Sequence, residues 1–381
     1  MKLFGWTSNA KRIDKKPGAS RAVKGGGFWR AWPRWVRNLA VTLLVIGLTA
    51  GVLALALRLY VRMPDPDENN SPPIVSYPYE SPDPNASPVP TPSGMPALSP
   101  SPERQMTVRS GVYSFVLAGQ RDGMTDTIMV ALFDMPAGTL NVISIPRDTI
   151  IDTTLSIPKI NSVYGHSGSE NGMDNLRAEM RDIVGFVPAN YALVGMNGFK
   201  LLVDKLGGVS FNVPINMYLP EEGINLKAGQ QQMNGDKALQ LMRFRGYEGS
   251  AAQKAGVDHN DFGRMQMQQR FLSALAKKMI SWESIPKIGD IAAIFAQYVA
   301  SNLDVGQMAG VGEQLLKLGN DDIHFYTLPS NSIYYTGGDR PREYYEVVDS
   351  QAALELINRT INPYTEDITP DMVKHIQLKN P

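Results

Sequence analysis

Groups able to do chemistry gather in residues 243–269, RFRGYEGSAAQKAGVDHNDFGRMQMQQ. Arg243 and Arg245 alternate, which puts both on one side of an extended backbone. A Gly/Ala/Ser-rich loop follows. Asp258, Asp261, Arg264 and Gln268 then come at steps of three, three and four, which a helix places on one face. Two carboxylates, a guanidinium and an amide on one face suit a phosphate group and a metal ion. An exposed face making ordinary ion pairs would use the same residue types.

Other clusters lie upstream. In Ser144-Ile-Pro-Arg-Asp148, Pro146 has no N–H to give a ladder, so it ends a strand. Arg147 is then thrown into the loop at the strand's end, where α/β sheets tend to hold ligands. In residues 120–126, QRDGMTD, Asp122 and Asp126 stand at neighbouring strand ends. Two oxygen ligands plus substrate phosphates is the usual way of holding Mg²⁺ (magnesium). Lys159, Asn161 and Tyr164 add a cation and an amide near Arg147 if the intervening loop folds back. His166 and His259 are isolated and read as polar surface. Together, Arg147, Arg243, Arg245 and Arg264 match a pyrophosphate better than a single phosphate, because each guanidinium grips oxygens in pairs.

The elements that must position these groups alternate. Strand-like runs fall at 112–117, 126–133, 140–145, 191–194, 209–213 and 323–328. Helical patterns fall at 174–184, 197–206, from Asn234 through Ala238 and Leu241, and at 261–279. Pro136-Ala-Gly reads as a hairpin turn, Gly207-Gly208 as a helix stop and Asn234 as a helix cap. Strands alternating with helices define an α/β layered domain with a central mixed sheet. Residues 281–381 read as an extension packed on the domain at 107–280.

Charge patterning sets the location. Thirty-seven Lys and Arg balance 37 Asp and Glu, so nothing in the overall charge calls for nucleic acid. There is no cysteine, which excludes disulfides and thiolate metal sites and leaves oxygen or histidine ligands. Residues 1–38 carry ten basic groups against Asp14 alone. Residues 39–57 then run uncharged, LAVTLLVIGLTAGVLALAL. At about 1.5 Å per residue they reach roughly 28 Å, near the hydrocarbon thickness of a bilayer. The expectation is one transmembrane helix at 39–60, with the N-terminus cytoplasmic and the body outside. Residues 61–106, rich in Pro and Ser, read as an extended stalk.

With these residues in view, a resemblance follows. SIPRD at 144–148, KIN at 159–161, LGGV at 206–209, RFR at 243–245 and DFGRMQMQQ at 261–269 occur in the order seen in the LytR-CpsA-Psr family, and the resemblance covers roughly residues 110–280. It implies an α/β/α fold whose central sheet encloses a hydrophobic pocket for a polyprenyl chain. It implies phosphotransfer of a glycopolymer, usually teichoic acid or capsular polysaccharide, from a polyprenyl pyrophosphate carrier to peptidoglycan, with Mg²⁺ as the metal. By this resemblance Arg147, Arg243, Arg245, Arg264 and Gln268 bind the pyrophosphate, Lys159 and Asn161 assist, Arg147, Asp261 and Arg264 act catalytically, and Asp126 holds the metal. The loop after Gly119 is short, which leaves Asp122 as the stand-in for the other metal aspartate. Met267 stands where the family often has arginine, which implies one cation fewer in the site. A pyrophosphatase that releases the glycopolymer to water, or a lipid-pyrophosphate-binding wall-assembly protein without turnover, would use the same residues.

Overall fold

A computed structural model describes residues 61–64, 106–121, 123–246, 260–279, 281, 288–319, 321–337 and 340–378. The expected cytoplasmic tail, membrane helix and nearly all of the stalk lie outside the described residues, as do Asp122, Asp258 and His259. Among the described residues no helix is long and apolar enough to cross a membrane.

Two-sided burial builds the central sheet. In β2 (Met124–Asp134), Ile128, Val130 and Leu132 face one way, Met129, Ala131 and Phe133 the other, and all six are buried. A strand apolar on both faces must be covered on both. It is flanked antiparallel by β1 (Val112–Arg121) and β3 (Thr139–Ile145), a meander that includes the expected hairpin. β4 (Asn190–Gly195) runs parallel to β1, and β10 (Ile323–Thr327) parallel to β3. β9 (Val299–Ser301) pairs antiparallel with β4, which completes a six-stranded mixed sheet of order β10-β3-β2-β1-β4-β9.

Helices cover both faces. On one, α1 (Ile160–His166), α2 (Gly168–Val184) and α8 (Ser350–Thr360) bring Val163, Leu176, Met180 and Ile357 onto Val116, Val130 and Ile143. On the other, α5 (Asn260–Met279) and α7 (Val305–Leu315) set Leu272, Ala276, Met308 and Val311 against Phe115, Met129 and Phe133. A satellite core joins α3 (Met196–Lys205), α4 (Gly235–Arg243) and the ribbon of β5 (Val209–Val213) with β8 (Gly229–Met233). A second ribbon, β6 (Met217–Leu219) with β7 (Ile224–Leu226), closes it from the side. Helix α6 (Ile288–Tyr298) adds Ile291, Ile294 and Phe295. A further antiparallel pair, β11 (Ser330–Tyr334) and β12 (Tyr344–Val348), lies beyond the central sheet's edge strand in sequence.

Local signals explain the joints. The Asn234 side chain accepts a bond from the Lys237 N–H and starts α4, whose Ala238 and Leu241 are fully buried. Gly207 and Gly208 stop α3 with φ of 84° and 81°, a region that L side chains avoid. A Cβ on Gly208 would also come within 2.7 Å of the Met233 carbonyl. Helix α1 departs from the sequence reading, which leaves Lys159 to Tyr164 on a loop. Its seven residues are too few to display a helical period, yet five are buried.

One buried acid makes stability depend on pH. Glu179 on α2 is 7% exposed, and burial, aided by Asp182 and opposed by Lys374, pushes its carboxyl up to about 7. Between its ordinary 4.5 and about 7 the folded state keeps a proton that the unfolded chain has lost. This site's stabilisation is therefore complete below the lower value and lost as pH rises through the upper one, by at most about 3 kcal/mol. The melting temperature should fall between about pH 5 and 7.5, and Glu179→Gln should flatten that fall. An unchanged slope in Glu179→Gln would assign the pH dependence elsewhere.

Candidate functional site

Strand ends and one helix face bring the arginines together. Strand β3 stops at Ile145, and Arg147 follows Pro146 into the loop as expected. Its Nη1 donates to Asp126 Oδ1 at 2.8 Å, and its Nε lies 3.4 Å from Asp148 Oδ2. Asp126 sits near the start of β2, and its Oδ2 is 3.4 Å from the Nε of Arg121 at the end of β1. Arg245 Nη2 reaches Asp126 Oδ1 at 3.6 Å. Arg243 takes a different acid: its Nη2 is 3.1 Å from Glu222 Oε2, which also lies 3.6 Å from Arg121 Nη1.

Arg243 and Arg245 converge by another route than simple alternation along an extended strand. Arg243 is the last residue of α4, and the backbone turns extended only at Phe244, whose ring is buried in the satellite core. That anchor orients the two guanidiniums on either side of it toward acids of one cluster. Their Nε atoms are buried without a hydrogen-bond partner.

Arg264 lies deepest. It is 2% exposed, on the face of α5 that meets β2 and β3. Burial would raise the Asp126 carboxyl, but the charge of Arg264, the hydrogen bond and charge of Arg147, and Arg121 together hold it below the usual carboxylate range. Asp126 is therefore an anion at neutral pH, encircled by guanidiniums. Asp126, Arg147, Arg264 and Gln268 frame a pocket whose lining continues through the apolar Ile128, Met129, Ile145 and Met265.

Other expected site residues have structural work. Gln268 Nε2 donates to the Met242 carbonyl at 2.9 Å, and its Oε1 accepts from Thr127 Oγ1 at 3.3 Å, so it ties α5 to the end of α4 and to β2. Gln269 Nε2 donates to Ser144 Oγ, the Tyr326 carbonyl and Thr327 Oγ1, which fastens α5 to β3 and β10. Asn161 is buried in α1; its N–H donates to the Arg147 carbonyl at 3.2 Å and its own carbonyl accepts from Thr125 Oγ1 at 3.4 Å. Lys159 is 8% exposed, with Nζ 2.8 Å from Glu343 Oε2 and 3.3 Å from Asp148 Oδ1. Asp261 belongs to α5, and its side chain lies outside the described residues.

Met267, where the family often has arginine, is fully buried in the satellite core with Phe271 and Leu275. The satellite core also fills the space between α3 and α5, where Phe199 and Phe271 meet with ring centroids 6.2 Å apart. The pocket beside Asp126, Arg147 and Arg264 encloses about 10 Å³, room for a single water, so the expected hydrophobic pocket for a polyprenyl chain is not open there.

Three acids and a base that the sequence reading passes over or leaves unassigned belong here: Arg121, Asp148, Glu222 and Glu343. Arg121 stood inside the QRDGMTD run, and its place at a strand end beside Asp126 was the available signal. Glu222 and Glu343 come from ribbons far away in sequence and carry no motif.

Mg²⁺ can be judged against this donor set. Among the described residues no group of three or more Asp, Glu or His could hold a metal ion. Asp126 is an ionised carboxylate at a pocket lined also by Arg147 and Arg264. That fits a Mg²⁺ carried largely by its substrate, the ordinary pattern for this ion, and not a cage prebuilt by protein.

The fold is a mixed sheet between helices, with guanidiniums converging at its strand ends. The chain belongs to the LytR_cpsA_psr family, whose model matches residues 108–361. It is 28% identical over 274 residues to the polyisoprenyl-teichoic acid–peptidoglycan teichoic acid transferase TagV of Bacillus subtilis, covering 68% of this chain and 64% of that one. It is 31% identical over 217 residues to the regulatory protein MsrR of Staphylococcus aureus, covering 55% and 61%. The chain thus spans less than two thirds of the length of either relative. The crystal structure of Bacillus subtilis TagV superposes with a TM-score of 0.55 at 25% identity, over 66% of this chain and 96% of that one.

Proposed function

We propose that this protein transfers a glycopolymer from a polyprenyl pyrophosphate carrier to peptidoglycan. The observation that carries the reading is the cluster of Arg121, Arg147, Arg245 and Arg264 around the ionised Asp126, with Arg243 joined to it through Glu222 and Arg121. The pyrophosphate sits among the guanidiniums. The name of the Bacillus subtilis relative supports the same donor and acceptor classes.

In the transfer, a hydroxyl oxygen of a wall sugar attacks the phosphorus that bears the glycopolymer. The bond from that phosphorus to the bridging oxygen breaks, and polyprenyl monophosphate leaves. The hydroxyl proton passes to a carboxylate; Asp148 beside Arg147 and Asp261 on α5 are the two acids proposed for it. Arg147 and Arg264 stabilise the charge gathering on the leaving phosphate, and positioning with electrostatics supplies most of the acceleration. Asp126 would hold Mg²⁺, with Asp122 as the second aspartate that the family resemblance offers, and the ion would supply further neutralisation of the pyrophosphate. Arginines that now grip Asp126 transfer to the substrate and release that carboxylate for the metal.

The test incubates the full chain with a polyprenyl-pyrophosphate saccharide, Mg²⁺ and peptidoglycan. Polyprenyl monophosphate together with saccharide fixed to peptidoglycan is expected. Monophosphate with only free saccharide means hydrolysis, and no monophosphate at all means a binding protein.

The location is part of the proposal. The uncharged stretch 39–57 behind a basic tail anchors the chain, with the α/β body outside the membrane. Protease added to cells with a permeable wall should cut within 65–105. Cleavage only after the membrane is broken would reverse the orientation.

A further inference from the structure

Lys159 is an almost buried ammonium shared by two carboxylates. Glu343 Oε2 accepts from its Nζ at 2.8 Å, while Asp148 Oδ1 stands farther off at 3.3 Å. The ring of Tyr345 lies under the same ammonium at 5.1 Å, and the Tyr345 hydroxyl is 3.2 Å from Glu343 Oε1. Asp148 gives its other oxygen, Oδ2, to Arg147 Nε. A line of alternating charge thus runs Glu343, Lys159, Asp148, Arg147, Asp126.

The backbone of this region is secured independently of the line. Glu346 N donates to the Asp148 carbonyl at 2.9 Å and Ile150 N to the Glu346 carbonyl at 3.0 Å, so β12 runs parallel along the loop that carries Arg147. An acid at position 343 is not needed for that pairing. Its consequence is electrostatic. Without it, a buried ammonium would have one nearby carboxylate, would close on Asp148, and would compete with Arg147 for it. With it, Lys159 is drawn away and Asp148 keeps an oxygen for Arg147.

We propose that Glu343 is a positioning residue for the pyrophosphate site, acting through Lys159 and Asp148 to hold the Arg147 guanidinium between Asp148 and Asp126. It touches no substrate. The inference rests on the transfer reading above, in that the ligand Arg147 serves is a lipid pyrophosphate.

The experiment is a double-mutant cycle on the full chain with Glu343→Gln, Lys159→Gln and the pair. Geranylgeranyl pyrophosphate affinity, turnover and melting temperature are measured on each. Glu343→Gln should weaken affinity and turnover by about 10-fold, the size of a coupling passed through one charged neighbour. Its melting temperature should stay within a few degrees of wild type. In the Lys159→Gln background the same change should add no more than about 2-fold, because the competing ammonium is gone. Additive losses, or losses that merely follow a lowered melting temperature, would make Glu343 a structural brace and overturn the proposal. If wild type binds and turns over while Glu343→Gln matches it, only this inference fails. If wild type does not bind geranylgeranyl pyrophosphate, the transfer reading fails first and takes this one with it.

Discussion

Arg147→Ala should lower turnover by about two to three orders of magnitude, the usual loss for one donor aimed at charge developing in a transition state. The side chain is 20% exposed and bridges Asp126 and Asp148 at the pocket mouth. Arg147→Lys should recover only part of the loss, since an ammonium keeps the charge but cannot span two carboxylates and still present a fork to phosphate. Stability should change little. Asp126 keeps Arg121 and Arg245 within 3.6 Å, and Asp148 keeps Lys159 at 3.3 Å, so neither acid is left without a cation. A purely structural ion pair predicts the reverse: a melting temperature lower by several degrees, with ligand binding reduced only as far as unfolding accounts for. Thermal melts and turnover on the three proteins separate the two.

Arg264→Met should separate stability from activity even more sharply. Arg264 is 2% exposed and stands among Ile128, Met129, Ile145 and Met265. Methionine approximates its volume without the cost of burying a charge, and Asp126 keeps Arg121, Arg147 and Arg245 within 3.6 Å, so the acid is not left without a cation. The melting temperature should hold or rise. On the proposed reading the deepest cation of the pyrophosphate site is lost, and turnover should fall by about three orders of magnitude. The charge of Arg264 is the first of the effects that oppose burial at Asp126, so its removal lets burial raise that carboxyl. A protonated Asp126 then appears at higher pH, and the acidic limb of the pH–rate profile should move upward. A large drop in melting temperature, with activity scaling to the folded fraction, would place Arg264 in the fold's support and out of its chemistry.

The parts of this architecture visible in sequence are those with local causes. Asn234 caps α4 through its own side chain, and Gly207 and Gly208 stop α3 through positive φ. Strand β2 was legible from a run of apolar residues long enough to cover both faces of a sheet. Arg147, Arg264 and Gln268 were found because Pro146 ends a strand and because 264 and 268 are one helical turn apart. The rest depends on neighbours far along the chain. Glu222 and Glu343 enter the cluster from β-ribbons, and no local pattern marks an acid as the partner of a distant base. Strand β9 has three residues, too few to alternate detectably.

The order of the central sheet governs how the chain acquires its shape. Its first four strands are complete by residue 195, yet both borders of that sheet are closed only by β9 and β10, which end at Ser301 and Thr327. Until those segments are made, β3 and β4 each present a row of unpaired N–H and C=O groups. The pairings that cover them join residues far apart in sequence, and such pairings form slowly. A nascent chain therefore passes through a stage in which edge-to-edge association with another copy competes with its own closure. Gln269, whose amide reaches both Ser144 of β3 and Tyr326 and Thr327 of β10, is the latch that favours the intramolecular outcome once the late strand arrives.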